Sequence, residues 1–307
     1  MSNVLVIGSE EHKELLCRTF IDTHDPFKPE EIRWPDLDAE SLQRLKEMPV
    51  WNEATRTEAA TAVKVQSLGD TEKDPLLAKA ISLQGYEEGR HAAVLQLLTK
   101  HYGIPVQPFP PPEVPKDPTL AFLRTGYGEC LDSFFAFGLF RLGERAELFP
   151  KPLIAVFETI MQEEARHILF IVNWAAYLRA RRPVLMRPAF DVWRGWNITA
   201  QAFDRLKGAL SMAGGSGDKK SDGKTDPAAP SRDETQDGFT LKSHNIFGDF
   251  SLRSFLETCL AENDKRLSLY DPRLLRPMLV PSVIRKVVKV LPKKKSAAKS
   301  EESARAA

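Results

Sequence analysis

Glu87-Glu88-Gly89-Arg90-His91 decides how this chain is read, because it returns almost unchanged as Glu163-Glu164-Ala165-Arg166-His167. Each copy contains Glu-x-x-His, and each lies in a long segment with helical periodicity. Residues three apart on a helix share a face. Glu88 and His91 therefore point the same way, as do Glu164 and His167. Around the first copy the stripe runs Leu77, Ile81, Gln84, Glu88, His91, Leu95, Leu98, Tyr102. Around the second it runs Leu153, Phe157, Ile160, Glu164, His167, Ile171, Trp174, Leu178. In both, an ionisable pair interrupts an otherwise apolar face. Charge in such a place is costly unless it is paired or bound to metal.

Two further helices are predicted around these. One runs from Val50 to Leu68, between Pro49 and Gly69-Asp70, with an inward stripe of Trp51, Ala54, Glu58, Thr61, Ala62 and Val65. The first motif helix opens on Asp74 as cap with Pro75 next. A third helix repeats that opening with Asp117 and Pro118, and its stripe is Phe122, Gly126, Glu129, Ser133, Ala136, Phe140. The fourth starts near Lys151-Pro152 and ends before Pro183. Asp caps, Pro at the first helical position and Gly past the end follow the usual asymmetry of helix termini.

The connections give the topology. Short links join the first two helices and the last two, so each pair forms an antiparallel hairpin. Between the pairs lies a Pro-rich segment from Tyr102 to Asp117. Extended at about 3.1 Å per residue, a segment of that length reaches roughly 50 Å. A thirty-residue helix is roughly 45 Å long. The segment can travel the length of the bundle, as the single long crossover of ferritin-like folds does. The expectation is an all-α, ferritin-like four-helix bundle over residues 50–182.

Two helices then supply one Glu each, Glu58 and Glu129. Two supply Glu-x-x-His, namely Glu88 with His91 and Glu164 with His167. Four carboxylates and two imidazoles in this pattern describe a dimetal carboxylate site of the di-iron or di-manganese type. Carboxylates bridge two cations and share their charge, while imidazoles complete the shells and leave positions open. Gln84, one turn before Glu88, is either an outer donor to this site or an ordinary buried amide. Thr61, Ala62, Gly126, Ser133 and Ala136 either leave room for a pocket or permit close helix packing. Phe134, Phe135, Phe137 and Phe140 read as core, and Cys130 as a plain buried thiol. His12, His24, His101 and His244 have no partner at metal-ligand spacing.

On these residues the chain resembles the ferritin-like di-iron carboxylate superfamily. The doubled acidic-Glu-x-Arg-His motif is most similar to the oxygen-activating branch, which includes bacterial multicomponent monooxygenases and the ribonucleotide reductase small subunit. The resemblance implies that the acid before each ligand Glu orients the histidine of the opposite helix, Glu163 acting on His91 and Glu87 on His167. It implies that Arg90 and Arg166 neutralise those acids. The reductase places a radical Tyr one turn after its first ligand His. Here that position is Leu95, and Tyr86, Tyr102 and Tyr127 all lie elsewhere, so a tyrosyl radical of that type is not expected.

The cofactor implied is two iron ions, with a manganese–iron pair as the variant. The function implied is activation of O2 for oxidation of an organic substrate, with ferroxidase or iron handling as the alternative. The accessory segments favour a monomer or dimer over a packed storage cage.

Outside the bundle, residues 1–49 read as an arm, with Asn3–Gly8 extended and a short helix from Ser9 to Phe20. Residues 183–212 form a fifth amphipathic helix on the bundle, and 213–238, almost free of apolar side chains, a disordered insert. Order resumes near Phe239. Residues 239–291 form a helical extension with a helix at 250–268 and a basic helix from Val283 to Leu291. A basic tail occupies 292–307. At 307 residues, 42% hydrophobic and 28% charged, the composition is that of a globular protein. A net charge of +1 gives no reason to expect nucleic acid as a partner. No apolar run is long enough to span a bilayer. Cys17, Cys130 and Cys259, odd in number and widely spaced, point to reduced thiols and a cytoplasmic protein.

Overall fold

A computed structural model describes residues 5–213 and 251–292. These residues form nine α-helices and contain no β-strand. The expected insert, from residue 214 on, the resumption of order near Phe239 and the basic tail beyond 292 lie outside the described residues.

The arm contains two helices, α1 (Glu10–Asp22) and α2 (Ala39–Glu47). Ser9 caps α1 by accepting from the His12 N–H, and Asp38 caps α2 by accepting from the Ser41 N–H. Of the segment expected to be extended before α1, residues 3 and 4 lie outside the described residues, Leu5 and Val6 form no strand, and Ile7 and Gly8 make a turn in which Gly8 takes a φ of 90°. A strand needs a neighbour to pair with, and the described residues offer none.

The four long helices are α3 (Trp51–Thr71), α4 (Pro75–His101), α5 (Pro118–Arg145) and α6 (Lys151–Ala180). Asp74 accepts from the N–H groups of Leu76 and Leu77, and Asp117 from that of Leu120, so both predicted caps open helices followed by Pro. The α3 helix runs past Gly69, where it was expected to stop. Gly69 is buried where α3 meets α4, and the end of the helix moves to Thr71.

The α3 helix packs on α4 and on α5, α5 on α6, and α4 on α6, so the four helices stand at the corners of a bundle. The C-terminal halves of α4 and α5 meet the N-terminal halves of α3 and α6 around one cavity. The α4 and α5 helices therefore run parallel, and the non-helical segment Gly103–Lys116 carries the chain from one end of the bundle to the other. One apolar layer (Val65, Leu68, Leu77, Ile81, Phe122, Ile171, Trp174) fills one end. A second layer (Leu45, Trp51, Leu95, Leu98, Leu153) fills the other. Between them lie the two motifs.

The remaining helices lean on this bundle. The α7 helix (Arg187–Ala213) packs on α5 and α6, and Arg179 on α6 grips Asp191 with two 2.6 Å hydrogen bonds. The α8 helix (Leu252–Leu267) packs on α5 and α6, and α9 (Leu279–Val290) packs on α8. The α9 helix begins ahead of the predicted Val283, because Pro281 is tolerated in its first turn. Gly138 allows the close approach of α8, since a Cβ there would lie 2.2 Å from Cys259 Sγ. None of the described helices is long and apolar enough to cross a membrane.

Candidate metal centre

Glu58 of α3, Glu88 and His91 of α4, Glu129 of α5, and Glu164 and His167 of α6 come together midway along the bundle. One oxygen or nitrogen from each of Glu58, Glu88, His91 and Glu164 falls within 4.8 Å of the others. The same holds for Glu88, Glu129 and His167, again within 4.8 Å. The two groups share Glu88. The imidazoles are stacked, with ring centroids 5.6 Å apart and planes at 28°. Glu88, His91, Glu164 and His167 are buried, and Glu58 and Glu129 partly so.

Both histidines turn Nδ1 inward. His91 Nδ1 lies 3.2 Å from Glu164 Oε1, 3.6 Å from Glu58 and 3.9 Å from Glu88. His167 Nδ1 lies 2.9 Å from Glu88 Oε1 and 3.9 Å from Glu164 Oε1. Glu88 and Glu164 thus stand between the two rings, each nearer to the histidine of the opposite helix. Despite this crowding neither Nδ1 makes a hydrogen bond of acceptable geometry, and neither do the two Glu129 oxygens or Gln84 Oε1. Buried polar atoms without partners are rare in folded proteins and call for an explanation. The five named here belong to ligand-type residues or to their neighbour Gln84. The cluster could hold a metal ion.

Electrostatics point the same way. Burial pushes the Glu58 carboxyl up to about 8, with Glu164 and Glu88 adding to the rise against the pull of His91. Burial raises Glu129 well above its ordinary range, and Glu88 and Glu164 raise it further. Burial would lower both imidazoles, but the surrounding carboxylates prevail and raise them well above 6.5. For Glu164, burial opposes the charge, yet the His91 contact and both imidazoles hold its carboxyl down. Four acids at such short range can all be ionised only with positive charge between them.

The outer nitrogens are fixed by a crossed pair of contacts. His91 Nε2 lies 2.8 Å from Glu163 Oε2, and His167 Nε2 lies 2.8 Å from Glu87 Oε2. Arg90 donates to Glu163, and Arg166 to Glu87. Burial works against the Glu87 charge, but the hydrogen bond to His167 and the charges of His167 and Arg166 hold its carboxyl at about 2. The sequence-predicted neighbours Glu87, Glu163, Arg90 and Arg166 are therefore all in contact with the motif histidines or with their acids. Gln84 Nε2 sits 3.4 Å from Glu88 Oε1, on the site side of its helix.

Several contributors had no signal in the spacing. His24 of the arm reaches Glu87 Oε1 through Nδ1. Arg90 donates to the backbone carbonyls of Asp25 (2.6 Å) and Phe27 (3.2 Å), and Arg166 to that of Thr23. The arm from Thr23 to Phe27 thus closes over both acid–arginine pairs. His24, Glu87 and Glu163 also bring one ligand-type atom each to within 4.8 Å of the others, but the two guanidinium groups already hold those acids. The small residues divide. Ser133 donates to Glu164 Oε2 at 3.2 Å. Gly126 permits close packing, since a Cβ there would lie 2.2 Å from Ile171 Cγ2. Ala136 lines a cavity.

Compared with models of known protein families, with curated proteins and with solved structures, the chain matches none. The functional reading accordingly rests on the site itself.

Proposed function

We propose that this chain is a ferritin-like di-iron oxidoreductase that activates O2 to oxidise an organic substrate. One observation carries the reading: two buried imidazole Nδ1 atoms, neither with a well-aligned hydrogen bond, face four carboxylates, of which Glu88 and Glu164 lie near both rings. Two divalent cations would balance the four negative charges and give every orphaned atom a partner. Carboxylate and imidazole donors suit iron, and a manganese–iron pair equally.

Glu88 and Glu164, each near both rings, would be shared between the ions. Glu58 lies on the His91 side and Glu129 on the His167 side. Glu163 and Glu87 accept the Nε2 hydrogens and so leave each Nδ1 lone pair free for coordination, the usual role of an acceptor behind a ligand histidine. Arg90 and Arg166 pair with those acceptors. The apolar layers above and below limit the access of water to the cluster. Bound iron supplies the electron transfer to O2 that no side chain here can perform.

The test is reconstitution with Fe(II) without air, followed by exposure to O2 under optical and Mössbauer observation. A coupled pair of irons per chain that oxidises once supports the proposal. Steady uptake of hundreds of irons per chain would replace it with iron storage.

A further inference from the structure

Beside the cluster lies a cavity of about 150 Å³. All of its lining residues are apolar. The one polar hydrogen among those side chains, Trp51 Nε1–H, is already donated to the Leu45 carbonyl at 2.8 Å. Interiors are close-packed, and voids much larger than a water molecule are few. An apolar void of this size can take up an apolar guest about as large as benzene.

Its position ties it to the motifs. Ala54 is one turn from Glu58 on α3, and Leu95 one turn from His91 on α4. Ala136 is one turn from Ser133 on α5, and Met161 one turn from Glu164 on α6. All four steps point toward the same end of the bundle. The far side reaches Met48 and Val50, in the turn between α2 and α3, and Phe149, in the turn between α5 and α6. The cavity therefore runs from the cluster toward two surface turns.

We infer that this cavity receives the apolar part of the substrate: an uncharged ring or hydrocarbon tail about the size of a benzene ring, held beside Glu58, His91 and Glu164. The inference rests on the oxidoreductase reading for its meaning as a substrate site. A charged group has no partner on these walls, and burying one there would be costly. Any polar portion of the molecule stays at the turns. Leu95 and Ala136 limit how near the guest comes to the metal ligands, and Trp51 and Phe149 limit its length.

The experiment is calorimetric titration of the iron-loaded full chain with toluene, n-hexane and benzoate, with metal content measured on the same samples. Toluene or hexane should bind, the tighter of the two separating a ring from a chain, and benzoate should bind at least ~10-fold more weakly than toluene. Ala136→Phe should fill the cavity and cut that binding at least ~10-fold at unchanged iron content. Ala54→Leu does the same from α3 if the first variant folds poorly. No binding by the wild type, or undiminished wild-type affinity in both filled variants, overturns the cavity assignment while the iron count still speaks for the metal centre. Guest binding by a chain that takes up no iron would remove the reaction and overturn the substrate role.

Discussion

Glu163 on α6 reaches across the bundle to His91 on α4, and Glu87 on α4 makes the same 2.8 Å contact with His167 on α6. Each motif thus orients the other's histidine. Glu163→Gln keeps an acceptor near Nε2 but removes the charge that Arg90 pairs with. Metal affinity should fall about 10–100-fold, with the helical content unchanged. Fe(II) titration of wild type and variant, checked by circular dichroism, measures this. Equal affinities would show that the crossed contact does not act on the site.

Arg166→Met tests the arm side of the network. The guanidinium is buried among Glu87 and the Thr23 carbonyl. Removing one partner of a buried pair strands the other, at a cost of about 3–5 kcal/mol. Urea unfolding should register that loss, and the double change with Glu87→Gln should recover part of it. A single variant as stable as wild type would mean that Glu87 needs no counter-charge.

Glu129 offers a sharper contrast. Both of its oxygens are buried without a partner, and burial raises its carboxyl well above the ordinary range. An unsatisfied buried polar group costs about 1–3 kcal/mol. Glu129→Leu should therefore melt higher than wild type when metal is absent, and gain less when metal is added. Thermal melts with and without Fe(II) give both numbers. The same metal-induced rise in wild type and variant would remove Glu129 from the ligand set.

Asp74 predicts a pH dependence away from the site. Partial burial opposes its charge, but the Lys13 hydrogen bond and the N–H groups of Leu77 and Leu76 hold its carboxyl below the ordinary 3.8. A carboxyl depressed in the folded state stabilises fully above its unfolded pKa and loses that contribution as pH falls through the folded one. Wild type should exceed Asp74→Ala by about 1 kcal/mol near neutrality. The two stabilities should converge below about pH 3.8. A constant gap down to acid pH would contradict the assignment.

What the sequence revealed follows from which interactions are local. Asp74-Pro75 and Asp117-Pro118 mark helix starts because cap and first turn are neighbours in the chain. The Glu-x-x-His copies declare a shared face because helical geometry is periodic. Glu58 and Glu129 could be found because their stripes are apolar enough for a charge to stand out. The α2 helix escaped notice because only Ser41 and Leu45 are buried in its nine residues, too few to show a period. His24 escaped notice because its partner Glu87 is distant in sequence and reached only through the folded arm. Each arginine of the doubled motif needed acceptors, yet backbone carbonyls at Thr23, Asp25 and Phe27 carry no sequence signature. The cavity was hidden in the same way, since alanines at Ala54 and Ala136 look alike whether they admit a helix or a guest.

On the reading proposed above, the cluster of Glu58, Glu88, His91, Glu129, Glu164 and His167 holds two metal ions. Anaerobic calorimetric titration of the metal-free chain with Fe(II), repeated on Glu88→Ala, tests it most directly. Glu88 belongs to both ligand groups, so its loss should disturb both ions. Two equivalents should bind per wild-type chain and fewer than two, more weakly, in the variant. No saturable Fe(II) binding by wild type, or the same two equivalents in Glu88→Ala, would contradict it.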